Sequence, residues 1–375
     1  MLQFVLAVVI VALVFEYING FHDTANSIAT VVATKVLSPM QAVGLAAATN
    51  LIGALWGTAV AKTISSGLLD THVVDVTSQL ILCALAGATV WNLITWGLGL
   101  PSSSSHALIG GLCGSALASS HGKWSAIIWS QPAHPWFKGA GVFWKVILPM
   151  VTSPIIGFIG GVLLLALLYA IIVGISKAGG PFSRLARPRW VNAFFKRAQL
   201  VSAGYMGFAH GSNDAQKTMG IIALALVSAA KSHQLETLPS WLGFLKPSQE
   251  ALTKGVIDRW IIYSCAIVMA SGTAAGGWRI IKTLGHKMVK LHPIDGFAAE
   301  TTAATVITFA TSLGIPVSTT HNISASIMGV GAAKNPKAVR WGVVERIIWA
   351  WILTLPAAGG VAWLLVHAFE MIGWS

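Results

Sequence analysis

One stretch with the chemistry of an anion site occurs twice in this sequence, and both copies end in histidine. Residues 98–106 read LGLPSSSSH, and residues 313–321 read LGIPVSTTH. Serine and threonine hydroxyls cap the free N–H groups of a helix's first turn, where proline is also tolerated. A helix N-terminus combines free N–H donors with a partial positive charge, and both favour a bound anion. Each copy is therefore predicted to join two apolar helices and to begin the second helix with an oxyanion site.

A second repeated stretch places a carboxylate inside an otherwise apolar segment. The copies, NGFHDTANS at 19–27 and HGSNDAQKT at 210–218, align Asp23 with Asp214. An ionisable group at membrane depth costs at least about 2.5–3.5 kcal/mol, so such groups usually mark functional sites. Each copy is predicted to interrupt its helix. Each Asp is predicted to bind a cation or carry a proton, the alternative being a simple helix cap.

Neutral and charged groups near these motifs extend the candidate site. Asn26 and Asn213 offer amide oxygens of the kind that Na⁺ accepts at helix breaks. Glu300 lies in the middle of an apolar segment and is predicted to be either a ligand or an anchor between helices. His106 and His321 are candidates for proton carriers or for donors that fix the hydroxyl loops, and the sequence leaves both roles open.

The composition indicates that membrane-spanning helices carry these motifs. Hydrophobic residues make up 55% of the 375 residues and charged residues only 10%, against roughly 25% charged in an average soluble protein. The net charge of +12 would suit a nucleic-acid partner in a soluble protein. Basic residues gathered in cytoplasmic loops explain it better here, so the lipid bilayer and not nucleic acid is the expected environment. Cys83, Cys113 and Cys265 lie in apolar segments and match no disulfide framework or metal site.

The apolar segments form two sets of six, separated by a basic stretch. They are predicted at 2–18, 22–36, 40–62, 74–98, 102–118, 142–175, 198–210, 213–230, 256–276, 293–312, 317–333 and 342–367. The stretch 177–197 holds the strongest basic cluster and is predicted to be a cytoplasmic linker. Counting crossings from it brings the other strongly basic loops to the same side and puts both termini outside.

This count predicts an all-α polytopic membrane protein with an inverted-topology repeat. The two halves, 1–176 and 198–375, enter the membrane from opposite faces and contain broken helices and helical hairpins. Secondary transporters commonly follow this plan, with the substrate site at the midplane between the repeats. G-x-x-x-G spacings such as Gly53–Gly57, Gly157–Gly161 and Gly272–Gly276 allow close helix packing or a homodimer contact.

The order and spacing of these motifs resemble those of the inorganic phosphate transporter family. The paired G-x-x-D and P-x-S-[ST]-[ST]-H motifs, split by a basic central loop, carry a resemblance that covers nearly the whole chain. The resemblance implies cation-coupled symport of inorganic phosphate by a multi-pass protein of the cell membrane. By position, it assigns phosphate binding to Ser102, Ser103, Ser104, Ser105, Ser318, Thr319 and Thr320. It assigns cation or proton binding, with Na⁺ as the candidate metal, to Asp23, Asn26, Asn213 and Asp214.

The sequence departs from the family's usual G-x-N-D-x-x-N pattern at two positions. His22 stands where asparagine is usual before Asp23, and Lys217 stands where the closing asparagine is usual after Asp214. An ammonium three residues along a helix from Asp214 can replace a bound cation or reach the phosphate. His22 adds a group that titrates near neutral pH. Coupling mainly to protons is therefore predicted, with Na⁺ as the alternative.

Other functions fit the sequence less well. A symporter for another oxyanion such as sulfate is the nearest alternative. An anion channel is disfavoured because paired carboxylates would repel the permeating ion. An intramembrane enzyme using serine and histidine is not expected. A catalytic triad needs a third member, which is not evident here, and it needs only one copy of the motif, whereas this sequence keeps two. No cofactor is expected beyond the coupling ion, H⁺ or Na⁺.

Overall fold

Apolar runs of the sequence form helices throughout the part of the chain that this computed structural model describes, residues 2–135, 139–179, 181–236 and 238–373. These residues contain no β-strand. The helices are α1 Leu2–Ala33, α2 Pro39–Ala54, α3 Ala59–Ser66, α4 Ser78–Leu98, α5 Ser104–Ser119, α6 Leu148–Lys177, α7 Pro188–Lys231, α8 Gln249–Lys254, α9 Arg259–Ala275, α10 Trp278–Lys282, α11 Pro293–Ser312, α12 Thr319–Lys334 and α13 Trp341–Met371.

Several of these helices have the length and composition of membrane spans. Within the described ranges, 4 qualify singly: α1, α4, α13 and the stretch Phe143–Lys177, in which a π-helical turn precedes α6. The number rises to 6 when two bent pairs are counted, one made of α2 with α3 and the other ending in α9. The protein is therefore a multi-pass helical membrane protein.

The helices that carry the two Asp motifs are continuous, so the predicted breaks at 19–27 and 210–218 are wrong. α1 and α7 each run unbroken through their motif. The glycines there allow close packing instead. A Cβ on Gly20 would lie 2.4 Å from the Met269 carbonyl oxygen, and one on Gly211 would lie 2.2 Å from that of Asn50. The motif's polar side chains bond to neighbouring helices, so the backbone needs no break to satisfy them.

A bend does occur in the first half of the chain, between α2 and α3. α2 and α3 meet at 69°, inside what was predicted to be a single segment, 40–62. The free N–H groups that begin α3 are satisfied from α7, because Gln216 Oε1 accepts from Val60 N at 2.7 Å and from Ala61 N at 3.4 Å. The sequence could not reveal this bend, because its capping residue is distant in the chain.

The two predicted helical hairpins are present, formed by α4 with α5 and by α11 with α12. Gly99 ends α4 with φ 65°, and Gly314 turns the chain after α11 with φ 67°, a left-handed conformation that favours glycine. Ser103 and Ser318 then cap the next helices, accepting from His106 N and His321 N at 3.2 Å each. The prolines precede these caps, so they do not lie in the first turn as expected.

The basic stretch is more helical than predicted. α6 ends at Lys177, a short 3₁₀ turn spans Pro181–Ala186, and α7 already begins at Pro188. The predicted start at 198 is therefore too late. Proline suits a helix's first turn, because the N–H that it lacks has no partner there.

Helix packing is reciprocal between the helices α1–α6 and the helices α7–α13. α1 packs on α9 and α4, while α7 packs on α2 and α11. α5 packs on α13 and α12 packs on α6, and α1 and α7 also contact each other. The G-x-x-x-G glycines serve these internal contacts: a Cβ on Gly53, Gly157 or Gly272 would lie within 2.5 Å of another helix. A homodimer stays a prediction.

Two apolar clusters enclose a polar layer. The first contains the beginning of α1 and the end of α7, and the second contains the end of α1 and the beginning of α7. The Asp motifs fall between the clusters on both helices. The site residues are therefore held in the middle of the molecule, away from both ends of the bundle.

Candidate functional site

The carboxylates of the two Asp motifs come together where α1 and α7 contact each other. One ligand atom each from Asp23, Asp214 and His210 lies within 4.8 Å of the other two. Their exposed fractions are 2%, 0% and 0%. Residues about 190 positions apart in sequence therefore share one buried polar cluster, as expected if the two motif copies form one site.

The Asp23 side of the cluster rests on the first hairpin. His22 Nδ1 lies 2.7 Å from Asp23 Oδ1, and His22 Nε2 lies 3.1 Å from Thr95 Oγ1 of α4. The Ser102 hydroxyl donates to Thr95 Oγ1 at 2.8 Å. The histidine predicted from the unusual motif therefore links the carboxylate to the α4–α5 hairpin.

Asn26 connects the same helix to the second hairpin. Its amide nitrogen donates to Thr320 Oγ1 at 2.8 Å and to Thr319 Oγ1 at 3.2 Å. The Thr320 hydroxyl in turn points to Asp23 Oδ1 at 3.4 Å. Asn26 Oδ1 is buried and has no hydrogen-bond partner within the described ranges. It is therefore free to act as a neutral cation ligand.

The Asp214 side is built around the Lys217 ammonium. Lys217 is 2% exposed and donates to Asp214 Oδ1 and, at 2.5 Å, to Ser105 Oγ. It also donates to the Val317 carbonyl oxygen at 3.0 Å, and Thr319 donates to Asp214 Oδ2 at 2.9 Å. The lysine therefore points into the site, not toward a membrane interface, and joins α7 to both hairpins.

Both hydroxyl runs lie at this cluster. All seven predicted phosphate contacts are buried, with exposed fractions of at most 4%. Ser103 and Ser318 already cap their helices, while Ser104 Oγ has no partner among the residues described. The N-termini of α5 and α12 thus bring hydroxyl donors and positive dipole ends beside an ammonium, a combination that binds oxyanions.

His210 is the contributor that sequence reasoning missed. Its Nδ1 lies 2.9 Å from Asn50 Oδ1, and its Nε2 lies 3.1 Å from Asp214 Oδ2. The available signal was its position at the start of the second motif copy, one helical turn before Asp214. On the same turn, Asn213 donates to Thr311 Oγ1 at 2.7 Å, and its amide oxygen has no partner in the described part of the chain.

Glu300 lies in a separate polar cluster. Its carboxylate accepts from the hydroxyls of Thr30 and Ser202 and from Gln199 Nε2 at 3.1 Å. These partners belong to α1 and α7, whereas Glu300 belongs to α11. Of the two predicted roles, the geometry directly provides the anchor between helices. Thr30 lies one turn beyond Asn26, which places the anchor next to the site.

The donor set suits a hard cation as well as an anion. Two carboxylates and the unpartnered amide oxygens of Asn26 and Asn213 are oxygen ligands of the type that Na⁺ accepts. Lys217 already supplies a positive charge to one of these carboxylates. The arrangement can therefore hold an oxyanion and its compensating positive charges together.

The sequence pattern of the phosphate transporter family matches residues 19–362. A Bacillus subtilis (strain 168) protein named "Probable low-affinity inorganic phosphate transporter" is 42% identical over 363 residues, 96% of each chain. A Rhizobium meliloti (strain 1021) protein of the same name is 43% identical over 364 residues, 96% of this chain and 95% of its own. The solved structure of "The sodium-dependent phosphate transporter" has the same fold, with a TM-score of 0.76 at 22% identity, covering 99% of this chain and 100% of its own.

Proposed function

The chain belongs to the phosphate transporter family, and we propose that it imports inorganic phosphate across the cell membrane as a cation-coupled symporter. It is a membrane transporter and not an enzyme. One observation carries the proposal: the Lys217 ammonium and hydroxyls of both hairpins belong to one hydrogen-bonded cluster with Asp23 and Asp214. Such a site can bind an anion and a cation in the same step.

Phosphate binding in this proposal uses the hydroxyl runs at Ser102–Ser105 and Ser318–Thr320. Ser104, Ser105, Thr319 and Thr320 offer hydroxyls that are not needed as caps, and Lys217 offers N–H donors. Hydrogen bonds from an ammonium to an oxyanion are about twice as strong as neutral ones. Lys217 would exchange part of its bonding to Asp214 for bonding to phosphate.

The coupling ion follows from the same lysine. Its ammonium contacts a carboxylate, a hydroxyl and a carbonyl oxygen, from Asp214, Ser105 and Val317. These are the oxygen types that a bound Na⁺ would need, so a sodium ion at this half-site is redundant and is repelled. We propose that protons provide most of the driving force, with the His22–Asp23 pair as the half-site left for the coupling cation.

Alternating access requires that the site open to each side in turn. We propose that 1–176 and 198–375 are inverted repeats, that 177–197 is cytoplasmic and that both termini lie outside. The reciprocal packing of α1 on α9 and α7 on α2 supports this plan. A site enclosed between two apolar clusters is consistent with an occluded state between the two openings.

Uptake into proteoliposomes tests the proposal. Labelled phosphate should accumulate against its gradient when a pH gradient alone is imposed, and a Na⁺ gradient at fixed pH should add little. Equilibration without accumulation would indicate a channel. Sulfate is the second candidate substrate, because hydroxyls and helix N-termini bind any oxyanion. Concentrative sulfate uptake without phosphate uptake would favour it.

A further inference from the structure

Two imidazoles, each from the residue that follows a hydroxyl run, contact one another. His106 follows Ser105 and His321 follows Thr320, and both rings are 0% exposed. Their centroids lie 4.8 Å apart in an edge-to-face arrangement. None of the four ring nitrogens has a hydrogen-bond partner among the described residues. Buried polar atoms usually take a hydrogen-bond partner, so these four nitrogens are available to bind a ligand.

Both imidazoles are neutral in this arrangement. Neither ring is bonded to a carboxylate, and a buried unpaired charge is strongly disfavoured. Two imidazolium rings at this separation would also repel each other. The nearest charge shown by a contact is that of Lys217, which bonds Ser105, the residue before His106, and which is already paired with Asp214. A neutral imidazole has one N–H donor and one nitrogen that can only accept.

The other buried acceptors of the site are already bonded or assigned, because Asp23 Oδ1 has two partners and the amide oxygens of Asn26 and Asn213 are proposed cation ligands. Lys217 and the helix N-termini only donate. Asp214 accepts from Lys217 and Thr319. The oxyanions themselves differ in this respect: phosphate near neutral pH carries one or two acid hydrogens, whereas sulfate carries none. A site with donors alone would bind both, so discrimination needs a buried acceptor.

We propose that the His106–His321 pair is the specificity element of the anion site, which rests on the proposed phosphate transport. An acceptor nitrogen of the pair receives the acid hydrogen of phosphate, and an N–H donates to another phosphate oxygen. An unprotonated sulfate oxygen would face the acceptor's lone pair and be rejected. The Trp351 ring stacks on His321, with ring centroids 4.2 Å apart, and its N–H donates to the Pro101 carbonyl oxygen at 3.1 Å. This contact uses neither nitrogen of the His321 ring.

Competition for labelled phosphate uptake in proteoliposomes tests the pair. Sulfate is the anion without acid hydrogens, and arsenate carries the same number as phosphate. His106→Phe and His321→Phe keep an aromatic ring and remove the nitrogens, while His106→Gln and His321→Gln keep a donor and an acceptor. In the Phe variants, apparent affinity for phosphate and arsenate should fall about tenfold, the order of one net hydrogen bond, while sulfate inhibition changes less than twofold. The Gln variants should keep most of the discrimination.

Trp351→Leu is the matched control, because it removes the stacking partner and leaves both imidazoles. It should preserve the ratio of phosphate to sulfate affinity. If the Phe variants lost apparent affinity equally for phosphate, arsenate and sulfate, the histidines would have only a packing role and the proposal would be overturned. An unchanged ratio of phosphate to sulfate affinity in the Phe variants would also overturn the proposal, and it would assign the discrimination to the amide oxygens of Asn26 and Asn213. His106→Leu carries the same test where the Phe variant does not fold. Absence of phosphate uptake by the wild type would instead refute the proposed function.

Discussion

The two halves of the protein bring the same motif to the centre but place a different charge beside it. Three residues after Asp23 stands Asn26, whose amide bonds the threonines of the second hairpin. Three residues after Asp214 stands Lys217, whose ammonium bonds the carboxylate and Ser105 of the first hairpin. A single residue difference between the two motif copies can thus turn a half-site that needs a bound cation into one whose own lysine supplies the positive charge.

The largest expected difference between the halves is in stability. Asp214→Asn leaves the Lys217 ammonium buried without its carboxylate, and breaking a buried ion pair in this way costs about 3–5 kcal/mol. Asp23→Asn removes a carboxylate whose partners in the described part of the chain are His22 and Thr320, with no lysine or arginine among them, and should cost less. Thermal unfolding in detergent, measured side by side, checks this. Equal melting temperatures for the two variants would show that the halves are electrostatically alike.

The charge difference between the halves can be removed by giving both half-sites the same closing residue. Lys217→Asn leaves Asp214 without its partner, and phosphate affinity in the absence of Na⁺ should fall by about 2–5 kcal/mol, the cost of truncating a buried charge pair. Added Na⁺ should then restore part of the uptake, because the vacated oxygens can bind it. Uptake assays with and without Na⁺ at fixed pH measure this. Strict Na⁺ dependence already in the wild type, with no response to a pH gradient, would contradict proton coupling.

A smaller effect is expected at the matched hydroxyls of the two hairpins. Ser104→Ala and Thr319→Ala should each weaken phosphate binding by about 1–3 kcal/mol through a lost hydrogen bond to a charged partner. Only Thr319 also bonds Asp214 and Asn26, so its variant should unfold at a lower temperature, whereas Ser104→Ala should not. Unaltered uptake affinity in both variants would remove these hydroxyls from the anion site.

The membrane orientation of the two halves can be tested with cysteine substitutions that leave transport unchanged. Lys123 and Arg187 are exposed, and they lie in the loop after α5 and just before α7. In a cysteine-free background, Lys123→Cys should react with a membrane-impermeant thiol reagent in intact cells, and Arg187→Cys should react only after lysis. Transport should be unchanged in both variants. Labelling of both from outside would refute the inverted topology.

The hairpins were predictable because their signals are local. A helix-ending glycine and a capping serine lie within a few residues of each other in both Pro-Ser stretches, so the sequence alone predicts a turn and a new N-terminus. The polarity of Asp23 and Asp214 was also visible, because a carboxylate stands out in an apolar run. The contact between Asp214 and Lys217 was also predictable, because a three-residue spacing places two side chains on one face of a helix.

The breaks were mispredicted because polar residues alone do not decide whether a helix continues. The motifs that contain Gly20 and Gly211 were predicted to interrupt their helices, but these glycines lie against the backbones of α9 and α2. The real bend after α2 is capped by Gln216, a residue of α7. Contacts of this kind join distant segments and leave no local signal in the sequence.

The sequence by itself determined the class of protein, the hairpins and the type of chemistry at each motif, because these depend on composition and on short-range spacing. Only the tertiary structure decided which groups meet. It joined Asp23, His210 and Asp214 in one cluster, moved Glu300 into an anchor beside it and brought His106 against His321. The reason is physical: helix packing sets the distances between segments, and buried polar groups take the partners that packing leaves within reach.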